Sequence, residues 1–204
     1  MRELIAFLGI SALVIVTPGQ DTALTTRNTL LGRRPAGVFT ALGVSAGQLV
    51  WTVATAVGVG ALLVASEPAF LALRVAGGAY LVFLGLQALW RVARRRELDV
   101  EVAPGAEPLP RSQAFRQGLV SNLGNPKMLA FFTSLLPQFG SSAAGLLALG
   151  LVFCSLTAAW LAAYAVVVAR AGEVFRRSRA RRVLEAVTGG VLVGLGIRLA
   201  AEQR

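Results

Sequence analysis

Asn125-Pro126-Lys127 is followed by MLAFFTSLLPQFGSSAAGLLALGLVFCSLTAAWLAAYAVVVA, the 42 residues from Met128 to Ala169, none of which is charged. Lys127 is the only lysine of the chain, and every other cation is an arginine. A proline and a cation against so apolar a run predict a broken membrane helix. Charge at the bilayer centre costs about 2.5 to 3.5 kcal/mol even on the mildest insertion scale, and residues held there tend to line functional cavities.

Outward from this stretch lie four more uncharged segments: Leu4 to Gln20, Pro35 to Ser66, Val75 to Trp90 and Ala186 to Ile197. The chain has 204 residues, 55% of them hydrophobic, only 10 acids and a mean hydropathy of +0.67. That is too apolar for a water-soluble domain of this size. A membrane helix needs about 20 residues to cross, so Met128 to Ala169 is long enough for two. The segmentation predicts an all-α membrane protein of six transmembrane helices at 4–26, 37–63, 69–90, 118–137, 143–169 and 183–200. Pro137-Gln138-Phe139-Gly140-Ser141-Ser142 is the turn between the fourth and fifth.

A net charge of +10 could suggest nucleic acid, but the arginines follow topology. The connections at 27–34, 91–117 and 170–182 hold three, six and six arginines, fifteen of the twenty cations. The positive-inside rule then turns these connections to the cytoplasm and both termini outward. The first apolar run ends in Val16-Thr17-Pro18-Gly19-Gln20-Asp21 without a small-residue cleavage site, so it is read as a retained helix and not a signal peptide. The single cysteine, Cys154, forms no disulfide framework and reads as a packing residue. The basic clusters Arg94-Arg95-Arg96 and Arg176 to Arg182 also suit anionic membrane lipids.

Two stretches look like versions of one unit: a single transmembrane domain over 1–204 would contain repeat one at 4–90, a cytoplasmic linker at 91–111 and repeat two at 112–200. Pro18 aligns with Pro126, Gly43 with Gly150, Trp51 with Trp160, and Gly77-Gly78 with Gly189-Gly190. Three spans per unit invert the second against the first, a construction recurrent in secondary transporters, whose sites lie where discontinuous helices of the two halves meet. Each proline removes a backbone donor and frees carbonyls that need partners where there is no water. An ion, a water or a substrate could satisfy them; an ordinary packed kink is the bland account.

Asp21 follows the first break and Lys127 adjoins the second, so the repeat brings opposite charges near one axis. Asp21 suits a substrate ammonium or a coupling proton, and Lys127 suits a carboxylate, the pair an amino-acid zwitterion needs. A structural ion pair, or a snorkelling Lys127, is the alternative. Pro18, Gly19, Gln20, Asp21, Asn125, Pro126 and Lys127 are therefore the candidate pathway residues. Gln48 joins them from the polar face Ser45, Gln48, Thr52 of the second helix, whose hydroxyl residues are accounted for by bonds to their own i−4 carbonyls or to a neighbouring helix. Gly43-x-x-x-Gly47 and the other glycine sets permit close helix approach.

With no histidine in the chain, there is no imidazole metal cluster and no Ser-His-Asp triad. No Walker motif is present, and no cofactor or metal is expected. Thr17-Pro18-Gly19, Arg27-Asn28-Thr29-Leu30-Leu31-Gly32, Ala76-Gly77-Gly78-Ala79-Tyr80-Leu81 with Leu84-Gly85, and Asn122-Leu123-x-Asn125-Pro126-Lys127 together resemble the LysE/RhtB family of amino-acid exporters, over nearly the whole length. The resemblance implies a proton-driven inner-membrane exporter of amino acids or their derivatives, acting as a homodimer. Gln20 departs from the family's usual Pro-Gly-Pro, while Asp21 keeps the acidic variant and Asn-Pro-Lys is unchanged.

The expectation is thus export of a small amino acid from the cytoplasm by alternating access. Two other readings are carried: an inorganic cation exporter using Asp21 and freed carbonyls, and a membrane-embedded enzyme in which Lys127 activates Ser121 or Ser134. One acid near the breaks is poor provision for a divalent ion. Ser134, seven residues along the same helix, is too far from Lys127 for a dyad.

Overall fold

The computed structural model describes residues 2–65, 109–140 and 142–171, with single helical positions between 72 and 90 and between 190 and 197. The described residues are all-helical, without a strand. Most of the helices expected at 69–90 and 183–200, the linker 91–111 up to residue 108 and the Gly77-Gly78 and Gly189 markers lie outside the described residues.

Helix α1 is Arg2–Val16 and ends at Thr17-Pro18-Gly19, where the proline ring supplies no N–H to Val14 and blocks the next turn. Helix resumes at Gln20. The run Gln20–Ala65 is two helices, because Gly32 (φ −122, ψ 19) and Arg33 (φ 58, ψ −170) leave helical geometry; residues 20–31 are α2 and residues 34–65 are α3. A Cβ on Gly32 would lie 2.5 Å from the Ala36 Cβ and 2.9 Å from the Leu109 carbonyl, so the tight turn requires glycine. Pro35 falls in the first turn of α3, where a missing N–H is harmless.

Helix α4 is Arg111–Leu123 and α5 is Pro126–Ala130, separated by Gly124-Asn125. Beyond α5 the chain continues as a π-turn, Phe131–Leu135, and a 3₁₀ turn, Leu136–Gln138. Helix α6 is Ala143–Ala171. Its 29 residues span about 43 Å at 1.5 Å each, ample for a hydrocarbon core of about 30 Å.

These bounds correct the segmentation. The expected helix 4–26 is the broken pair α1 and α2 running on to residue 31, and 118–137 begins seven residues early, at Arg111. A charged residue does not mark the end of a helix here, since Arg27, Arg111 and Arg116 lie within helices. Helical backbone bonds persist past the hydrocarbon, where water solvates the arginines.

The interior is more polar than a soluble core. Thr25, Asn28, Thr29, Thr40, Gln48, Thr52, Thr55 and Asn122 are buried, whereas Leu42, Leu49, Val53, Val57, Leu147, Leu151, Leu156 and Val167 point outward. Lipid tails are as apolar as leucine, so the outward face needs no cover and the helices join through close packing and polar contacts. A Cβ on Gly43 would sit 2.0 Å from the Phe115 carbonyl, and one on Gly118 2.3 Å from the Thr40 carbonyl. Gly43 and Gly47 thus seat α4 against α3 within one chain. An aromatic cluster fixes the second break from the other side, with Phe131 stacked on Phe153 at 4.1 Å and Phe132 edge-on to both.

Candidate functional site

The two breaks meet. At the first, Pro18 leaves the Val14 carbonyl without its i+4 donor, and the Lys127 ammonium from the second break donates to it at 3.0 Å. The same ammonium donates to the Thr17 carbonyl at 3.3 Å. Gly19 lies alongside: a Cβ there would be in ordinary contact with Lys127 Nζ, at 3.4 Å. The cation therefore caps the carboxyl end of α1, where the helix dipole is negative.

Asp21 does the reverse. It stands buried in the first turn of α2, at the positive end of that helix, and its carboxylate is held by the second break. Ser121 Oγ donates to Oδ1 at 3.1 Å, and the amides of Asn122 and Asn125 each donate to Oδ2 at 2.9 Å. Three donors to one carboxylate replace the water it lost, and such charge-assisted bonds are about twice as strong as neutral ones.

Asn125 connects the two halves of this arrangement. Its Oδ1 accepts the Lys127 backbone N–H at 3.0 Å and caps α5, while its Nδ2 reaches Asp21. Pro126 follows at the first position of α5, where proline suits a helix start. Asparagine offers a donor and an acceptor on one short planar group, and this position uses both.

The expected alternatives for the two charges are thereby corrected. Asp21 and Lys127 do not bond to each other; each is spent on the opposite break. Lys127 does not snorkel, because its ammonium turns to the backbone carbonyls of Val14 and Thr17 at the first break. It also addresses neither Ser121, which is bonded to Asp21, nor a serine nucleophile elsewhere.

The remaining candidates surround this core. Gln20 is exposed and donates from Nε2 to the Ser121 carbonyl at 3.4 Å. Gln48 is fully buried on α3, with Nε2 3.5 Å from Met128 Sδ and Oε1 lacking a partner. Thr52 back-bonds to the Gln48 carbonyl at 2.8 Å, and Ser45 reaches the Cys154 carbonyl on α6 at 3.0 Å. All eight nominated residues thus lie at or beside the paired breaks. Sequence reasoning missed Ser121 and Asn122 as ligands of Asp21. The signal was there: Asn122 is three residues before Asn125, one helical turn, so both could point to one spot. Trp51, used only as a repeat marker, donates to the Asn122 carbonyl at 3.4 Å.

A second polar cluster lies two helical turns further along α2. Asn28, of the Arg27 to Gly32 motif, donates to Thr40 Oγ1 at 2.9 Å and to Gln117 Oε1 at 3.0 Å, joining α2, α3 and α4. Next to the second break, Thr55 Oγ1 donates to the Phe132 carbonyl at 3.0 Å, and Gln138 Nε2 to the Ser134 carbonyl at 2.7 Å, supplying donors where the π-turn disturbs the ladder.

Comparison with known proteins agrees over nearly the whole chain. The uncharacterized membrane protein YrhP of Bacillus subtilis (strain 168) is 29% identical over 206 residues, covering 97% of this chain and 98% of the relative. The threonine efflux protein of Escherichia coli (strain K12) is 28% identical over 202 residues, 96% and 98% of the two chains. The homoserine/homoserine lactone efflux protein of Salmonella typhimurium (strain LT2) is 29% identical over 201 residues, 96% and 95%. No solved structure matches the chain significantly. The profile of LysE type translocators, transporters and not enzymes, matches residues 12–203, and the chain belongs to that family.

Proposed function

We propose that the chain exports small amino acids or their derivatives across the cell membrane as a proton-coupled secondary transporter, by alternating access of two inverted halves at 4–90 and 112–200. Both termini face outward, the linker faces the cytoplasm, and the protein works as a homodimer among lipids. The observation that carries the reading is the reciprocal engagement of the breaks: Asp21 is held by Ser121, Asn122 and Asn125, and Lys127 by Val14 and Thr17. An acid, a cation and freed carbonyls at one place inside an apolar bundle form a zwitterion's complement. The relatives named for efflux of threonine and of homoserine or its lactone supply the class: small, with an uncharged polar side chain.

An inorganic cation is served less well, because Asp21 is the one acid at the breaks and its carboxylate is already held by three donors. Among the described residues, no three His, Cys, Asp or Glu side chains cluster.

The test is counterflow in proteoliposomes loaded with unlabelled threonine or homoserine. Labelled amino acid should accumulate, a proton gradient should drive it, and Asp21→Asn or Lys127→Met should slow it at least about tenfold, as expected when a charged hydrogen bond is lost. A folded wild-type protein that exchanges no amino acid in a broad panel would sink the reading.

A further inference from the structure

We propose that the Val14 and Thr17 carbonyls form the receptor for the substrate's ammonium group, and that Lys127 is a tethered occupant of that receptor which the substrate displaces. The inference rests on the amino-acid export reading and deepens it.

The argument begins with what the first break exposes. Pro18 deprives the Val14 carbonyl of its helical donor, and Thr17, the last residue before the proline, offers a second carbonyl to the same point. Two backbone acceptors converge at 3.0 and 3.3 Å on one nitrogen, at the negative end of a helix. This is the chemistry that selects a primary ammonium: several short N–H donors on a compact positive charge. Lys127 satisfies it because its side chain ends in that same group. A free amino acid carries the group too, with a carboxylate attached to the neighbouring carbon.

Exchange follows from the fate of each charge. When a substrate ammonium takes the two carbonyls, Lys127 loses its acceptors and must find an anion or leave the interior, since a bare cation there is costly. The carboxylate arriving on the same ligand supplies that anion, since Asp21 is already held by three donors. Asp21, two residues beyond Gly19 and already held by three donors, stays in place and keeps the charge of the site balanced. Lys127 thus fills the ammonium receptor until a zwitterion replaces it.

The experiment uses the full chain with Lys127→Ala, which removes the side chain beyond Cβ and leaves a gap the size of n-propylammonium. Thermal unfolding in detergent is followed with n-propylammonium and, at equal ionic strength, tetramethylammonium, which has charge but no N–H. At ten times its dissociation constant, n-propylammonium should raise the melting temperature of Lys127→Ala by about 3 to 6 °C. Wild type, with its tethered occupant, should not respond, and tetramethylammonium should do nothing. Equal shifts in wild type, or with tetramethylammonium, would overturn the receptor. No shift in Lys127→Ala would do the same. If the variant folds only with a ligand, recovery of monodisperse protein with n-propylammonium alone supports the proposal, and failure with both cations defeats it.

A second arm uses the wild-type protein in counterflow. The N-trimethylated analogue of a transported amino acid keeps its charge but has no N–H, and it should compete at least about tenfold more weakly. Absence of any amino-acid counterflow defeats the export reading while leaving the n-propylammonium result to stand. Counterflow without either N–H preference defeats only the receptor.

Discussion

Replacing Asn125 separates the two tasks its side chain performs. Alanine removes the cap on α5, typically worth about 1 kcal/mol, and one amide donor to a buried carboxylate, worth about 1.5 to 3 kcal/mol. The sum is about 2.5 to 4 kcal/mol. For a chain of this size, each kcal/mol lowers the melting temperature by about 2 to 4 °C, so Asn125→Ala should melt about 5 to 16 °C below wild type. Serine keeps an oxygen that can cap Lys127 N but cannot span to Asp21, so only the second term is lost and the drop should be smaller. Aspartate keeps the cap acceptor but sets a carboxylate where a donor stood 2.9 Å from Asp21 Oδ2, and it should be the least stable of the three. The assay is thermal unfolding in detergent, with counterflow measured on each variant that remains folded. The order Ser above Ala above Asp follows from the two bonds together. Aspartate matching or exceeding alanine would refute the contact with Asp21, and a neutral alanine would refute both bonds.

Three further outcomes follow from single contacts. Gly43→Ala and Gly118→Ala would each drive a Cβ into backbone carbonyls at 2.0 and 2.3 Å, and each should cost about 1 to 3 kcal/mol or more, read as lost thermal stability, with their double substitution less than additive because one helix displacement relieves both. Gln48→Met removes a buried amide whose Oε1 has no partner, so unfolding should show a gain of about 1 kcal/mol, while counterflow should fall if the amide serves the pathway; unchanged transport would reduce Gln48 to a packing residue. Thr55→Val deprives the Phe132 carbonyl of its donor and should cost about 1 to 3 kcal/mol, whereas Ser at the same site should restore most of it; equal stability of the three would show that the π-turn needs no support from α3.

Much of this architecture is legible in the sequence because the membrane permits few solutions. Every uncharged run long enough to cross predicts a helix, and the turn at 137–142 is marked by proline, glycine and serine between two apolar stretches. The breaks are legible for the same reason: Pro18 and Pro126 cannot continue a helix without leaving a carbonyl unpaired. The partners of the orphaned groups are not legible. Whether Lys127 meets Asp21, lipid headgroups or backbone depends on how α4 and α5 are seated in the bundle, and α4 is held against α3 by glycine contacts such as Gly43 with Phe115 and Gly118 with Thr40. Boundaries drawn at charged residues failed at Arg27 and Arg116, because an arginine on a helix can reach water without ending the helix.

Substituting Lys127 alone cannot separate a substrate contact from a structural one, and the bond to Val14 says why. Removing the ammonium leaves a carbonyl orphaned by Pro18 in an apolar bundle, a cost of about 1 to 3 kcal/mol before any substrate is considered. The discriminating comparison restores the helical donor: Pro18→Ala returns an N–H to the position that Val14 requires, so a purely capping Lys127 becomes dispensable for stability in that background. A Lys127 that also meets the substrate stays indispensable for counterflow. The same reasoning limits leakage through the proposed transporter. Parting the breaks without a ligand would strand a carboxylate, an ammonium and two carbonyls together, whereas a zwitterion supplies a donor for the carbonyls and an anion for Lys127. Opening is then cheapest with substrate bound, the property an exporter coupled to a gradient requires.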